Sequence, residues 1–237
     1  MRRGRAAAVV VAAGAGTRLG AELPKAFVPL AGKPMVLWSI AAVAALQRIA
    51  AIVVVVPEGR RDWAADLLGT QPERVRLVEG GATRAISVAR GVAEVPDDAR
   101  AIVVHDAARP LVEAGLVERV LGALDRDEGA IAAHPVADTL KLSGPRGHIA
   151  RTVPREGLWA AETPQAFRSD AFREALARAT AADTLAQMTD CAAIMEADGR
   201  SVALVESGIV NFKVTTESDL RVAEALLAVR AQDAPVD

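Results

Sequence analysis

Residues 6–20 read Ala6-Ala7-Ala8-Val9-Val10-Val11-Ala12-Ala13-Gly14-Ala15-Gly16-Thr17-Arg18-Leu19-Gly20, an uncharged apolar run that stops in a Gly-rich loop carrying one cation. An unbroken run of that length suits a strand buried on both faces. Behind Met1-Arg2-Arg3 the same stretch resembles the start of a signal peptide, but its apolar part is only one strand long, and strand is the reading adopted. Ligands of open α/β sheets bind beyond the carboxyl ends of strands, where small residues let backbone N–H groups approach a phosphate or a base. The loop is not a dinucleotide fingerprint. Counted from Gly14, G-x-G-x-x-G requires glycine where Leu19 stands, and the acidic residue due about 20 positions on is missing, since Glu58 comes far later. No G-x-x-x-x-G-K-S/T occurs, which excludes a P-loop. Alone, the loop is equally a tight strand exit.

Working outward, apolar runs at 51–56, 75–78, 101–105, 130–136 and 202–205 alternate with stretches of helical period at 35–46, 83–95, 113–124, 169–180 and 217–230. The alternation predicts an α/β fold, a three-layer sandwich of helices around a parallel sheet with right-handed crossovers. Ser169 and Thr216 are the expected helix N-caps, the latter with Asp219 three residues on. Residues 138–153 break the rhythm: two alternating segments flank Ser143-Gly144-Pro145-Arg146-Gly147, which predicts a β-hairpin. A two-stranded ribbon is marginal alone, so it is expected to lie against a second subunit. No repeat or linker divides the chain, which is read as one domain over 1–237 with the arm, 138–154, inside it.

The 237 residues are 51% hydrophobic and 24% charged, enough for a buried core and unlike disordered or collagen-like chains. A formal net charge of −2 lacks the basic footprint of a duplex-DNA binder. Of the 28 cationic side chains only four are Lys, at Lys25, Lys33, Lys141 and Lys213. Where Arg serves as the general surface cation, a retained Lys marks a place for a compact ammonium. The single Cys191 excludes an internal disulfide and a Cys-based zinc cage, and reads as a buried thiol. His105, His134 and His148 lack zinc-helix spacing and read as structural. No later stretch is apolar enough to span a bilayer. A cytoplasmic protein without nucleic-acid or membrane partners is expected.

Arg18 inside the loop and Lys25 after Pro24 place two cations at a ligand-binding edge, which favours phosphate cradling. Val104-His105-Asp106-Ala107-Ala108-Arg109-Pro110 forms a second strand exit, where Asp106 could hold Mg²⁺ together with substrate phosphates. Asp106 equally suits a cap on the following turn, and Arg109 an ion pair with it. Gly80-Gly81 before a helix start offers N–H donors to an anion or an acceptor-rich ring. Residues 155–165 read as a surface loop with Trp159 packed in the core, and Lys213 stands in an otherwise uncharged stretch.

In this order, AAGAGTR at 12–18, Pro24-Lys25, GGATRAISV at 80–88, VHDAARP at 104–110, DTLK at 138–141, LWAAETPQ at 158–165, Thr189-Asp190 and KVTTESDL at 213–220 resemble the 2-C-methyl-D-erythritol 4-phosphate cytidylyltransferases. The resemblance spans nearly the whole chain and implies a Rossmann-like nucleotidyltransferase fold, with a homodimer joined through the protruding β-hairpin arm. It implies that Ala12, Ala13, Gly14, Gly16, Gly81 and Ser87 surround the nucleotide and that Arg18 and Lys25 bind the triphosphate of CTP. Asp106 would hold Mg²⁺ beside the nucleotide. Asp106, Arg109, Thr139, Arg155, Thr163 and Lys213 would bind the polyol phosphate, with Arg109, Thr139 and Arg155 contributed across the dimer. Val11, Ala26-Phe27, Ala82 and Cys191 depart from the family pattern, Ala82 and Cys191 by replacing acidic residues.

The implied chemistry is CMP transfer to 2-C-methyl-D-erythritol 4-phosphate with release of pyrophosphate. The second pKa of a phosphate monoester is about 6, so the acceptor is a nucleophile at neutral pH without a general base. The obstacle is repulsion between anions, and at ~4 Å and an effective dielectric of ~20 each close unit-charge pair is worth about 4 kcal/mol. Arg18 and Lys25 with Mg²⁺ are therefore assigned to the transition state and pyrophosphate, and Arg155 and Lys213 to the attacking phosphate. The competing readings are a relative acting on another polyol phosphate such as ribitol 5-phosphate, a non-catalytic nucleotide-binding regulator, and a nicotinamide-dependent oxidoreductase, which the Gly spacing disfavours.

Overall fold

The computed structural model describes residues 5–14, 23–208 and 210–232. Strand β1 (Ala6–Val11) is followed by the short strands β2 (Pro29–Leu30) and β3 (Lys33–Pro34), helix α1 (Met35–Ala44), β4 (Ile49–Val56), α2 (Arg61–Leu68), β5 (Val75–Glu79) and α3 (Arg84–Ala93). Then come β6 (Ala101–Asp106), α4 (Ala114–Ala123), β7 (Gly129–Pro135), the arm strands β8 (Leu140–Ser143) and β9 (Ile149–Val153), and β10 (Trp159–Arg168). Helices α5 (Ser169–Ala181) and α6 (Cys191–Ala197), strand β11 (Val202–Glu206) and helix α7 (Glu217–Gln232) complete the order.

The main sheet runs β11-β7-β10-β6-β1-β4-β5. Strand β1 is parallel to both β4 and β6, so the chain builds β1, β4 and β5 outward on one side and then returns to place β6 on the other. That reversal opens a crevice beyond the carboxyl ends of β1 and β6, the usual ligand position in such sheets. Alternate residues of β1 face opposite ways. Ala6, Ala8 and Val10 pack with Val36, Ile40 and Val43 of α1 and with Leu116, Val117 and Val120 of α4. Ala7 and Val9 pack with Val88 of α3 and Phe172 of α5. Burial on both faces explains the unbroken apolar runs, and the three-layer expectation holds.

The sheet is mixed, which the parallel expectation misses. Residues 155–165 are expected from the sequence as a surface loop, but from Trp159 on they belong to strand β10, antiparallel to both β6 and β7, and Trp159 is 37% exposed instead of packed in the core. Helices α2 and α6 are also absent from the sequence reading. Thr216 caps α7 as expected: its Oγ1 accepts from the Asp219 N–H at 3.2 Å while Asp219 Oδ2 accepts from the Thr216 N–H at 2.8 Å. Ser169 is not a cap; it is the first helical residue of α5, and Arg168 occupies the cap position.

Two features position the functional edge. Ala161 pairs with Ala133 and Gln165 with Ile131, so residues 162–164 oppose Ala132 alone and form a bulge that turns their side chains out of the regular pleat. Beneath α7, a small cluster of Leu30, Met35, Ala108, Leu111, Val214, Ala223 and Leu227 fastens the turn after β6 to the segment before α7. The arm is a two-stranded ribbon, pairing Leu140 with Val153 and Lys141 with Thr152. Its apolar side chains face water, Ile149 being 66% exposed.

Candidate active site

A cleft of about 350 Å³ opens at the reversal point, walled by Ala12, Ala13 and Gly14 after β1, by Gly81 to Arg84 and Ser87 at the start of α3, and by Asp106 at the end of β6. Lys25 and Lys213 complete it. The apolar wall is built from small residues for a steric reason. A Cβ on Gly80 would lie 2.5 Å from Ala13 Cβ and 2.7 Å from Ser87 Oγ, so the two backbone segments meet only because glycine stands there. Ser87 fixes the next peptide: its Oγ accepts from the Gly81 N–H at 3.0 Å and donates to the Gly81 carbonyl at 3.3 Å. Thr83 caps α3 by accepting from the Ile86 N–H, which aims the helix N-terminus into the cleft.

The opposite wall carries the charge. Asp106 Oδ1 accepts from Arg84 Nε at 2.9 Å and faces Arg84 Nη2 at 2.8 Å, while Oδ2 accepts from Lys213 Nζ at 2.7 Å. Burial alone would raise the Asp106 carboxyl; the Arg84 guanidinium and the Lys213 ammonium outweigh it and hold the group well below the usual carboxylate range. Among the described residues the lining thus sets three cations, Lys25, Arg84 and Lys213, against one carboxylate. This excess sits in a molecule whose net charge is −2.

Behind Asp106 a fixed relay of hydrogen bonds supports it. The Asp106 N–H donates to Thr163 Oγ1 at 3.0 Å, Thr163 Oγ1 lies 3.1 Å from His105 Nδ1, and His105 Nε2 lies 3.2 Å from the Arg109 carbonyl. A carbonyl only accepts, so Nε2 carries the proton, Nδ1 accepts, and the Thr163 hydroxyl donates to it. Burial pushes His105 down to about 4, so the ring is neutral at physiological pH and serves as structure, as the sequence suggested.

The structure therefore brings together the expected Ala12, Ala13, Gly14, Lys25, Gly81, Ser87, Asp106 and Lys213. Gly16 and Arg18 lie outside the described residues. Thr163 is buried behind Asp106 and off the cleft wall, and Arg109 is turned inward, 11% exposed, donating through Nη1 to the Asn211 carbonyl at 2.7 Å. Thr139 and Arg155 are exposed at the base of the arm and do not line this chain's cleft; Arg155 Nη1 donates to the Ala137 carbonyl. Arg84, which the sequence reading quoted inside a motif but gave no role, also lines the cleft and pairs with Asp106. Cys191, which also contacts Arg84, is buried off the cleft wall, and burial pushes its thiol up to about 11, so it contributes no charge to the guanidinium. Arg84 Nη1 approaches its sulfur at 3.6 Å, which leaves Asp106 to balance the guanidinium.

The donor set bears on Mg²⁺. Among the described residues no group of three or more His, Cys, Asp or Glu could hold a metal, and both oxygens of Asp106 already face cations. A single carboxylate of this kind fits an ion whose remaining ligands are substrate phosphates and water, not a protein-built cage.

The chain is similar to known proteins over nearly its whole length. A family model described as 2-C-methyl-D-erythritol 4-phosphate cytidylyltransferase matches residues 6–229. The protein of that name from Parasynechococcus marenigrum is 42% identical over 225 residues, covering 95% of this chain and 99% of its own. The crystal structure of 2-C-methyl-D-erythritol 4-phosphate cytidylyltransferase from Thermus thermophilus superposes with a TM-score of 0.77 at 35% identity, covering 94% of this chain and 99% of that one. A 4-diphosphocytidyl-2C-methyl-D-erythritol synthase from Anaerococcus prevotii shares the fold with a TM-score of 0.82 at 24% identity, covering 95% and 97%.

Proposed function

The chain belongs to the 2-C-methyl-D-erythritol 4-phosphate cytidylyltransferase family, and from that premise we propose how its cleft divides the work of the reaction. The enzyme transfers CMP from CTP to 2-C-methyl-D-erythritol 4-phosphate, making 4-diphosphocytidyl-2-C-methyl-D-erythritol and pyrophosphate in the non-mevalonate route to isoprenoids. Ala12, Ala13, Gly14 and Gly81 receive the base and ribose, where small walls and the Ser87-fixed peptide leave backbone groups accessible. Lys25 takes the triphosphate, together with Gly16 and Arg18 of the loop. Lys213 and Thr163 form the acceptor side, with Arg109, Thr139 and Arg155 supplied from a second copy of the chain.

The observation that carries this division is the two-walled cleft itself, small and apolar on one side and cationic around Asp106 on the other. An oxygen of the acceptor phosphate attacks the α-phosphorus of CTP, the bond to the β-phosphate breaks, and pyrophosphate leaves with the electron pair. No side chain has to remove a proton, because the acceptor is already anionic, with a second pKa of about 6. The neutral, buried His105 is in keeping with that. What the protein supplies is charge held in place before the anions arrive, so that little reorganisation is needed as negative charge shifts to the leaving group. Lys213, 40% exposed and bonded to Asp106, is placed to exchange that carboxylate for the acceptor phosphate.

Asp106 would hold Mg²⁺ through one oxygen, and the bound ion would neutralise charge on the triphosphate and the departing pyrophosphate. The arm is the proposed dimer contact, because its exposed Leu142 and Ile149 would be covered by a second subunit. Among the described residues no helix is long and apolar enough to cross a membrane, and we place the enzyme in the cytoplasm.

Replacing Lys213 separates the two halves of the site. Lys213→Ala is expected to lower kcat about 100-fold, the scale of losing one preorganised transition-state contact. The CTP dissociation constant, read by calorimetry, should stay within about twofold, since a contact to the other substrate leaves it untouched. Loss of CTP affinity instead would assign Lys213 to the nucleotide.

A further inference from the structure

We propose that Glu162 is a positioning residue for the acceptor half of the reaction, setting both the Arg109 guanidinium and the segment that carries Lys213. The proposal rests on the reading of Arg109 and Lys213 as contacts to the polyol phosphate. Glu162 lies in the β10 bulge, 4% exposed, and does not line the cleft. Within the resembling stretch LWAAETPQ it is a position to which neither the sequence reading nor the division of the cleft gives a role.

Both of its oxygens are engaged. Oε1 accepts from His134 Nδ1 at 2.9 Å and faces Arg109 Nη1 at 3.5 Å, while Oε2 accepts from Asn211 Nδ2 at 2.7 Å. Asn211 Nδ2 also donates to the Thr163 carbonyl at 2.9 Å, and the Asn211 carbonyl takes the hydrogen bond of Arg109 Nη1 at 2.7 Å. One carboxylate thereby joins four stretches: the end of β7, the turn after β6, the bulge of β10, and the segment that reaches Lys213 two residues after Asn211.

The energetics make that junction directional. Among the described residues Glu162 is the carboxylate within ion-pair distance of Arg109. A buried guanidinium deprived of its counter-charge is strongly unfavourable and relaxes toward water. Arg109 Nε and Asn211 Oδ1 have no hydrogen-bond partner, so the guanidinium is oriented by its ion pair with Glu162 and its bond to the Asn211 carbonyl, and the Asn211 amide by its bonds to Glu162 and Thr163. Displacing them moves the acceptor cations while the nucleotide wall, built from β1 and α3, stays where it is.

The test uses the whole chain and two variants, with steady-state kinetics for each substrate and a thermal melt of each protein. Glu162→Gln keeps the shape and an oxygen for Asn211 but removes the charge; it is expected to raise the KM for the polyol phosphate about tenfold, with the KM for CTP within about twofold. Asn211→Ala cuts the tie to the Lys213 segment and is expected to raise the same KM and lower kcat about tenfold. A polyol-phosphate KM unchanged in Glu162→Gln, or both KM values rising together, overturns the proposal. If Glu162→Gln does not fold, the same split is read from Asn211→Ala. A wild-type chain that releases pyrophosphate only with a different polyol phosphate refutes the acceptor assignment, and the comparison is then made with that acceptor. A wild-type chain inert with CTP and every polyol phosphate refutes both.

Discussion

Asp106 sits where two requirements meet, since a buried carboxylate must be paired and an anion-binding cleft must keep cations in position between turnovers. Arg84 and Lys213 satisfy both, and the neutral His105 below supports the backbone without adding charge. His105 also makes stability depend on pH. In the unfolded chain its pKa is the ordinary 6.5, whereas in the folded protein it is pushed down to about 4. As pH falls below 6.5 the unfolded chain takes up a proton that the native state refuses until pH 4, so native stability declines across that window by about 3 kcal/mol. Urea unfolding of wild type and His105→Leu between pH 4 and 7 should show this difference in slope; parallel curves would contradict it. At this scale the small residues and Asp106 are legible in sequence because they lie in strand-exit motifs, and Lys25 and Lys213 because Lys is rare in this chain. Arg84, Glu162 and Asn211 are not, because their roles exist only once the start of α3 meets the end of β6 and the bulge of β10 meets the segment after β11.

Helix α3 places Thr83, Arg84 and Ser87, and its distance from the sheet is set by Gly91. A Cβ there would lie 2.6 Å from Val9 Cγ1 and 2.7 Å from Val55 Cγ2, both in buried, stiff β-branched side chains. Gly91→Ala gains helix propensity of about 1 kcal/mol, but overpacking costs roughly 1–3 kcal/mol. Chemical denaturation should therefore show a net loss of about 1 kcal/mol and a raised KM for CTP, as α3 lifts from the sheet; a stabilised variant with unchanged KM would contradict it. Arginines finish other helices. Arg74 donates to the Ala44 carbonyl at the end of α1, Arg173 to Val92 and Val95 at the end of α3, and Arg168 to Leu124 after α4. A planar fork of donors suits paired carbonyls better than an ammonium does, which gives the Arg-rich composition a structural use. The regular strands and long helices are readable from periodicity because each buries a continuous face. Strand β10 is not, because Glu162-Thr163-Pro164-Gln165 bury polar groups against the site and so look like a loop.

The whole molecule combines a negative total charge with a cleft that is cationic, and the reversal of strand order fixes where that cleft lies. Composition reports only the sum, whereas the strand alternation and motif order already imply the architecture. The mixed sheet order and the inward turn of Arg109 follow from pairing over long sequence separations, which local patterns do not encode. The arm projects apolar side chains from the end of β7 in keeping with a second copy completing the acceptor side. This cleft joins CMP from CTP to a polyol phosphate by charge stabilisation. The most direct test of that chemistry is pyrophosphate release measured with CTP, with and without Mg²⁺, across 2-C-methyl-D-erythritol 4-phosphate, ribitol 5-phosphate and other polyol phosphates. Release that requires Mg²⁺ and strongly favours 2-C-methyl-D-erythritol 4-phosphate is the predicted result; preference for ribitol 5-phosphate, or no release with any acceptor, would contradict it.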